Sequence, residues 1–215
     1  MSGKPLSRER FDHDDQQTNA ATIKSYEAAA DLYLALNVPA PDWLVQFMDD
    51  FVARLPLAAS ILELGSGPGR DADLLEAKGL TVARSDATVA FLDMMRARGV
   101  SARRLNLLTD GLGGPWPGIY ANAVFLHLRD TELPLVLRKI ATATAEDGLL
   151  AFTVKEGDGS AWTTDKIRQP RFFQYWREPT LRSLLLETGW DVVRVDHAVG
   201  RSDDWLLLIC RLLRE

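Results

Sequence analysis

An α/β fold, with a seven-stranded and mostly parallel sheet covered by helices on both faces, is predicted by three observations. Short apolar runs alternate with amphipathic stretches from residue 60 to the C-terminal end. A turn containing Gly65, Gly67 and Gly69 follows the first of those runs and precedes a helical stretch. The last two runs are joined by Gly200-Arg201-Ser202-Asp203, which is too short for a crossover helix. Those two strands are therefore expected to pair as an antiparallel hairpin at the sheet edge.

The elements follow in order. Residues 1–19 are polar and charged without periodicity and are expected to form a flexible arm. Residues 20–215 are expected to form one domain, with a helical cap over 20–57 and the α/β core over 58–215. From Ala20 to about Leu36, the residues Ile23, Tyr26, Ala30, Tyr33 and Leu34 recur at helical spacing. Asn37-Val38-Pro39-Ala40-Pro41 interrupts that pattern as a turn. Asp42 has the character of an N-cap for a helix running to about Leu55, with Trp43, Leu44, Phe47, Met48 and Phe51 on one face. Strands are predicted over 60–64, 80–85, about 102–105, 119–125, 148–154, 190–196 and 204–211. Helices are predicted over about 70–78, 88–98, 131–145 and 178–188.

Composition excludes several classes of function. With 25 basic against 30 acidic residues the net charge is −5. No dense Lys/Arg cluster interrupts it, so a nucleic-acid partner is not expected. Cys210 is the sole cysteine and lies beside Leu206-Leu207-Leu208-Ile209, which marks it as a small buried residue in a reducing compartment. No apolar run approaches the roughly 18 residues of a membrane span. The N-terminal stretch also lacks the apolar core of a secretory signal, so a cytoplasmic location without a membrane partner is expected. His13, His127 and His197 have no partners at metal-ligand spacing, so no metal is expected. The expected assembly is a monomer or homodimer.

The turn over residues 65–69 carries the most chemical information. Glycine allows positive φ and lets backbone pass close to a ligand. The helix start beyond it offers free amides. A phosphate loop is excluded because no Lys-Ser or Lys-Thr follows. A dinucleotide fingerprint needs glycine at the sixth position, where Arg70 stands and would obstruct close helix–strand packing. Glu63 and Asp71 place carboxylates where a pyrophosphate would sit. That arrangement repels an anion and suits a cation, which favours S-adenosylmethionine, a sulfonium and ammonium compound, over NAD. About 20 residues after the turn, Asp86 closes the second strand where an acidic group can grip a ribose diol.

With these residues in view the chain resembles the class I S-adenosylmethionine-dependent methyltransferases, from about Tyr26 to its end. ILELGSGPGRDA resembles the family's first motif and TVARSDAT its second. RRLNLL falls at the third, with Asn106 in place of the usual Asp, and NAVFLHL resembles the fourth. EDGLLAFTVKEGDG resembles the turn and strand that follow. Leu126-His127, Val154-Lys155-Glu156-Gly157 and Arg171-Phe172-Phe173 are similar to features of a bacterial small-molecule subgroup. Pro117 departs from the family, which often has Asp before the fourth strand. The resemblance implies a Rossmann-like fold and a cofactor site made of Tyr26, Glu63, Gly65, Ser66, Gly67, Arg70, Asp86, Ala87, Thr88, Asn106, Leu107 and Ala123. Tyr26 would be a lid tyrosine across the methionine end.

His127 follows the carboxyl end of the fourth strand, where ligands bind in such sheets, and is the candidate catalytic base. The long connection after the fifth strand holds Lys155, Arg171 and Tyr175, which are candidate contacts for a small-molecule acceptor with an oxygen or nitrogen nucleophile. Two other functions fit the same turn. One is a non-catalytic sensor or scaffold that binds S-adenosylmethionine, and the other is an NAD-dependent oxidoreductase.

Overall fold

The computed structural model describes residues 18–36 and 38–213. Seven strands form one sheet in the order β3-β2-β1-β4-β5-β9-β8, and β6 and β7 form a separate two-stranded ribbon. The parallel part contains β1 (Ser60–Leu64), β2 (Thr81–Asp86), β3 (Ala102–Arg104), β4 (Trp116–Asn122) and β5 (Thr144–Lys155). Against β5 runs the antiparallel β9 (Asp204–Leu212), which in turn pairs with the edge strand β8 (Trp190–Val199). The predicted sheet, including its C-terminal hairpin, is the sheet observed.

Alternation along the strands feeds two cores. Leu62, Ile119, Leu150 and Phe152 face α6 (Leu133–Ala143) and α7 (Glu178–Glu187), where Val136, Leu137, Ile140, Leu181 and Leu185 are buried. Ile61, Tyr120, Leu149 and Ala151 face α3 (Asp42–Val52) and α4 (Arg70–Ala77), with Phe47, Phe51, Ala72 and Leu75 packed on them. α3 is therefore a layer of the core, while α1 (Thr18–Ala28) and α2 (Ala30–Ala35) lie over the carboxyl ends of the strands. Helix α5 (Val89–Ala97) completes the set beside β2 and β3.

The strand order reverses between β1 and β4, which pair on one side while β1 pairs with β2 on the other. At such a switch point the connections leave in opposite directions and open a crevice beyond the strand ends. The site lies there.

Several elements differ from the sequence reading for local reasons. The helix expected over 20–36 is two helices, broken at Ala29, whose φ of −128° and ψ of 20° leave the helical region. Pro41 is the N-cap of α3, and Asp42 is its first residue rather than its cap. The fourth strand starts earlier than expected, at Trp116, and carries a register shift between Trp116 and Gly118. Pro117 sits in that irregularity, a position within a sheet that tolerates the missing amide donor. The connection after β5 contains the ribbon of β6 (Ser160–Thr163) and β7 (Arg171–Gln174). Most of the arm expected over 1–19 lies outside the described residues, whereas Thr18 and Asn19 open α1.

Trp190 anchors β8 to α6: its side chain has no exposed surface, and its indole N–H donates to the Leu137 carbonyl at 3.3 Å. Trp190→Ala should lower unfolding free energy by about 3–5 kcal/mol, measured by urea denaturation. A loss under about 1 kcal/mol would mean that the helix collapses onto the strand without cost.

Candidate functional site

The glycine turn takes the conformation its composition predicts. Gly65, Gly67 and Gly69 have φ of 65°, 54° and 98°, all in the left-handed region. A Cβ on Gly65 would also lie 2.5 Å from a methyl of Val124, so side-chain bulk is excluded there twice over. Ser66 joins the turn to β2. Its amide donates to the Ser85 carbonyl at 2.8 Å, and its hydroxyl accepts the Ser85 amide at 3.1 Å.

Asp86 spans the turn and the start of the next helix. One carboxylate oxygen accepts the Gly67 amide and the other the Thr88 amide, both at 2.8 Å. Burial pushes its pKa up, and the two amide bonds pull it back. Asp86 also lines the smaller of the two cavities above the turn. Glu63 lies beneath the turn, buried, with one oxygen that has no hydrogen-bond partner. Burial, then the charge of Asp71, pushes its pKa up to about 8. The buried hydroxyl of Tyr120 is unpartnered as well.

Two cavities meet above the turn. The smaller, of about 120 Å³, is lined by Tyr26, Gly65, Asp86, Ala87, Thr88, Asn106 and Leu107 among the predicted cofactor residues. The larger, of about 660 Å³, is lined by Ala123, His127, Lys155, Arg171 and Tyr175 among the predicted residues. Tyr26, Tyr33 and His127 line both. Glu63, Ser66, Gly67 and Arg70 line neither cavity. Arg70 instead donates to Asp71 at 2.6 Å and to the Val38 carbonyl at 3.2 Å. The Asn106 side chain donates to Asn19 and accepts from the Leu108 amide, so it shapes the cavity wall while already bonded.

A chain of hydrogen bonds runs along the boundary between the cavities. Arg171 donates to the Tyr26 hydroxyl at 3.1 Å, and that hydroxyl lies 2.9 Å from His127 Nε2. His127 Nδ1 lies 2.6 Å from the Phe172 carbonyl, which can only accept. That contact assigns the proton to Nδ1 and leaves Nε2 as the acceptor for Tyr26. Desolvation pushes the imidazole down to about 3, helped by the charges of Arg171 and Lys155 and opposed by the Phe172 bond. His127 is therefore neutral, a hydrogen-bond acceptor with a fixed orientation.

Sequence reasoning missed several contributors. Tyr33 and Phe91 pack on Tyr26 at ring-centroid distances of 5.6 and 6.0 Å and on each other at 5.3 Å, and all three line the smaller cavity. Tyr33 follows Tyr26 by seven positions, two helical turns, which was the available signal. Behind the turn Asp71 accepts from Asn122 at 2.7 Å, and Asn122 accepts the Thr153 hydroxyl at 2.6 Å. Thr153 in turn accepts the Ala123 amide at 2.9 Å and supports that residue's left-handed φ of 57°. Glu27 accepts the Val89 and Ala90 amides at the start of α5, tying α1 down.

These residues fit S-adenosylmethionine. A carboxylate at the end of β2 that lines the smaller cavity suits a diol and opposes a pyrophosphate, and the buried carboxyl of Glu63 beneath the turn, with one unpartnered oxygen, suits an ammonium. The fold and the turn together define a class I, S-adenosylmethionine-dependent methyltransferase. The chain belongs to the methyltransferase domain family, which it matches over residues 40–195. That membership removes the oxidoreductase reading. No curated protein sequence matches significantly.

Solved structures share the fold at low identity. The DhpI–SAH complex superposes with a TM-score of 0.76 at 21% identity, covering 94% of this chain and all 100% of that one. CcbJ methyltransferase from Streptomyces caelestis gives 0.70 at 18%, covering 94% and 100%. The Burkholderia thailandensis 1,6-didemethyltoxoflavin-N1-methyltransferase, with 1,6-didemethyltoxoflavin and S-adenosylhomocysteine bound, gives 0.67 at 18%, covering 99% and 94%. Among the described residues no group of side chains could hold a metal ion, and no helix is long and apolar enough to cross a membrane.

Glu63 sets a pH dependence. Its carboxyl titrates near 4.5 when exposed and near 8 in the native chain. Its contribution to stability is full below the lower value and is lost as pH rises through the upper one. Glu63→Gln should therefore flatten the decline in urea midpoint of the ligand-free protein between about pH 5 and 8. Parallel wild-type and variant profiles would contradict a buried, unpaired carboxyl.

Proposed function

We propose that the chain transfers a methyl group from S-adenosylmethionine to an oxygen or nitrogen of a small metabolite held in the larger cavity. One observation carries this reading: the two cavities share Tyr26, Tyr33 and His127, so whatever fills one abuts whatever fills the other. A volume of 660 Å³ is that of a site enclosing a small ligand, typically about 300–1,000 Å³. The net charge of −5 disfavours a polyanionic substrate. The toxoflavin-precursor methyltransferase among the structural neighbours holds a small acceptor.

When bound, the cofactor supplies an electrophilic methyl on a sulfonium. In this reading Asp86 grips the ribose diol, with Ala87 and Thr88 beside it. Asn106 and Leu107 border the adenine, and Gly65, Ser66 and Gly67 let backbone approach the methionine portion. Glu63 ionises when an ammonium arrives and neutralises it. Arg70 acts at one remove by holding Asp71. The smaller cavity, at 120 Å³, is below the usual range, so Tyr33 and Phe91 separate from Tyr26 on entry.

Methyl transfer is an in-line displacement, and holding the partners in near-attack geometry supplies much of the acceleration. Ala123, Lys155, Arg171 and Tyr175 wall the acceptor cavity. His127 is the proposed acceptor contact, because Nε2 takes the acceptor's O–H or N–H once the Tyr26 hydroxyl gives way. With a pKa near 3 in the enclosed arrangement, it orients a nucleophile better than it deprotonates one.

The test incubates the protein with tritiated S-adenosylmethionine and a cell extract separated by ultrafiltration into small-molecule and macromolecular fractions. Label should enter the small-molecule fraction, and label confined to macromolecules would overturn the acceptor class. In parallel, Asp86→Ala should weaken S-adenosylhomocysteine binding by about tenfold or more, as loss of a charged hydrogen-bond pair requires. An unchanged affinity would remove Asp86 from the site.

A further inference from the structure

Arg171 is a buried charge at the start of β7. It is 5% exposed, yet among the described residues no carboxylate pairs with it. Its guanidinium donates to the Tyr26 hydroxyl at 3.1 Å and the Asp165 carbonyl at 2.5 Å, both uncharged acceptors. Nε is buried with no partner at all. The group is pressed between rings, with its central carbon 5.0 Å from the Phe173 centroid and 5.5 Å from that of Tyr26. Ring faces steady a cation but do not neutralise it. A buried guanidinium without a counter-charge is strongly unfavourable unless something supplies one.

Arg171 lines the larger cavity, and the charges around it point the same way. Lys155 is already neutralised by Asp203 at 2.8 Å. Lys166 lays its ammonium over the Tyr33 ring at 4.1 Å and has no carboxylate partner among the described residues. Desolvation, then the positive charges of Arg171, Arg70 and Lys155, pushes Lys166 down to about 8, the response of an ammonium in an excess of like charge. The opposing groups are few. Asp203 is taken by Lys155, and Asp165 turns its backbone carbonyl to Arg171 while its side chain belongs to an exposed residue.

We propose that the methyl acceptor carries an oxyanion, a carboxylate or a phosphate-type group, and that Arg171 and Lys166 hold it in the larger cavity. This rests on the methyl-transfer reading above and adds to it the chemical class of the acceptor. The Nη of Arg171 that donates to the Tyr26 hydroxyl can turn to an oxygen of such a group, and Lys166 adds a point charge. Trp162 and Phe173 wall the cavity for an apolar or aromatic body. Arg171 is also bonded to Tyr26 and through it to His127, so an anchored oxyanion sets the distance from anchor to reacting atom. Selectivity follows from the same pair, because a neutral analogue leaves the guanidinium uncompensated.

Three phenyl probes test this by titration calorimetry on the full chain saturated with S-adenosylhomocysteine: benzoate, phenyl phosphate, and benzamide as the neutral isostere of benzoate. At least one anion should bind about tenfold or more tightly than neutral benzamide. Preference for benzoate assigns a carboxylate and preference for phenyl phosphate assigns a phosphate-type group. Arg171→Gln and Lys166→Gln should each reduce anion affinity several-fold more than they reduce benzamide affinity. Lys166 is an exposed loop residue, so its variant keeps the test intact if loss of Arg171 prevents folding. Neither anion exceeding benzamide, or the Lys166 variant weakening all three probes alike, would overturn the proposal. Failure of S-adenosylhomocysteine itself to bind would instead overturn the methyl-transfer reading.

Discussion

Asp86 reaches from the end of β2 to accept the Gly67 amide at 2.8 Å, and its other oxygen accepts the Thr88 amide at 2.8 Å. On the opposite side Gly65 packs against Val124 with no room for a Cβ. The turn between β1 and α4 is thus clamped by β2 on one flank and the end of β4 on the other. Because β1 pairs with both strands at the switch point of the sheet, the clamp sits where the crevice opens. The carboxylate that shapes the turn is also the one that faces the smaller cavity. Any change that moves Asp86 reshapes the backbone a ligand would touch.

A second set of contacts governs access. Tyr26 stands between Arg171 and His127, and His127 is anchored to the Phe172 carbonyl. Three elements remote in sequence, α1, the turn after β4 and the ribbon strand β7, are therefore joined by uninterrupted hydrogen bonds. Ser25 and Thr22 reinforce the link by bonding to the Pro170 carbonyl and the Phe172 amide. The smaller and larger cavities consequently share one wall. Motion of Tyr26 frees His127 Nε2 and one donor of Arg171 at once, so closure over one ligand and readiness for the other are coupled through the same hydroxyl.

Much of this was legible in the sequence, for identifiable reasons. Strands buried on both faces appear as continuous apolar runs, which is why Ile61-Leu62-Glu63-Leu64 and its successors stand out. Positive φ at Gly65 and Gly67 is permitted by residue type and demanded by a tight strand-to-helix turn, and the short polar link at residues 200–203 dictates an antiparallel pair. The break at Ala29 was invisible because apolar positions keep their spacing across it and alanine marks no helix end. The β6–β7 ribbon was hidden because its strands are four residues each, below the length at which alternation is distinctive. Asn122, Thr153 and Asp71 form a network that exists only after the carboxyl ends of β4 and β5 and the start of α4 are brought together. The absence of a counter-charge for Arg171 is likewise a property of the folded arrangement.

The central claim, that the clamp around Asp86 is the cofactor site, is tested most directly by a crystal structure with S-adenosylhomocysteine. The ribose hydroxyls should lie on the Asp86 carboxylate and the adenine beside Asn106 and Leu107. The amino end should come within reach of Glu63, and the Tyr33 ring should be displaced from its contact with Phe91. A ligand bound elsewhere, or bound with Asp86 satisfied only by Gly67 and Thr88, would contradict the account.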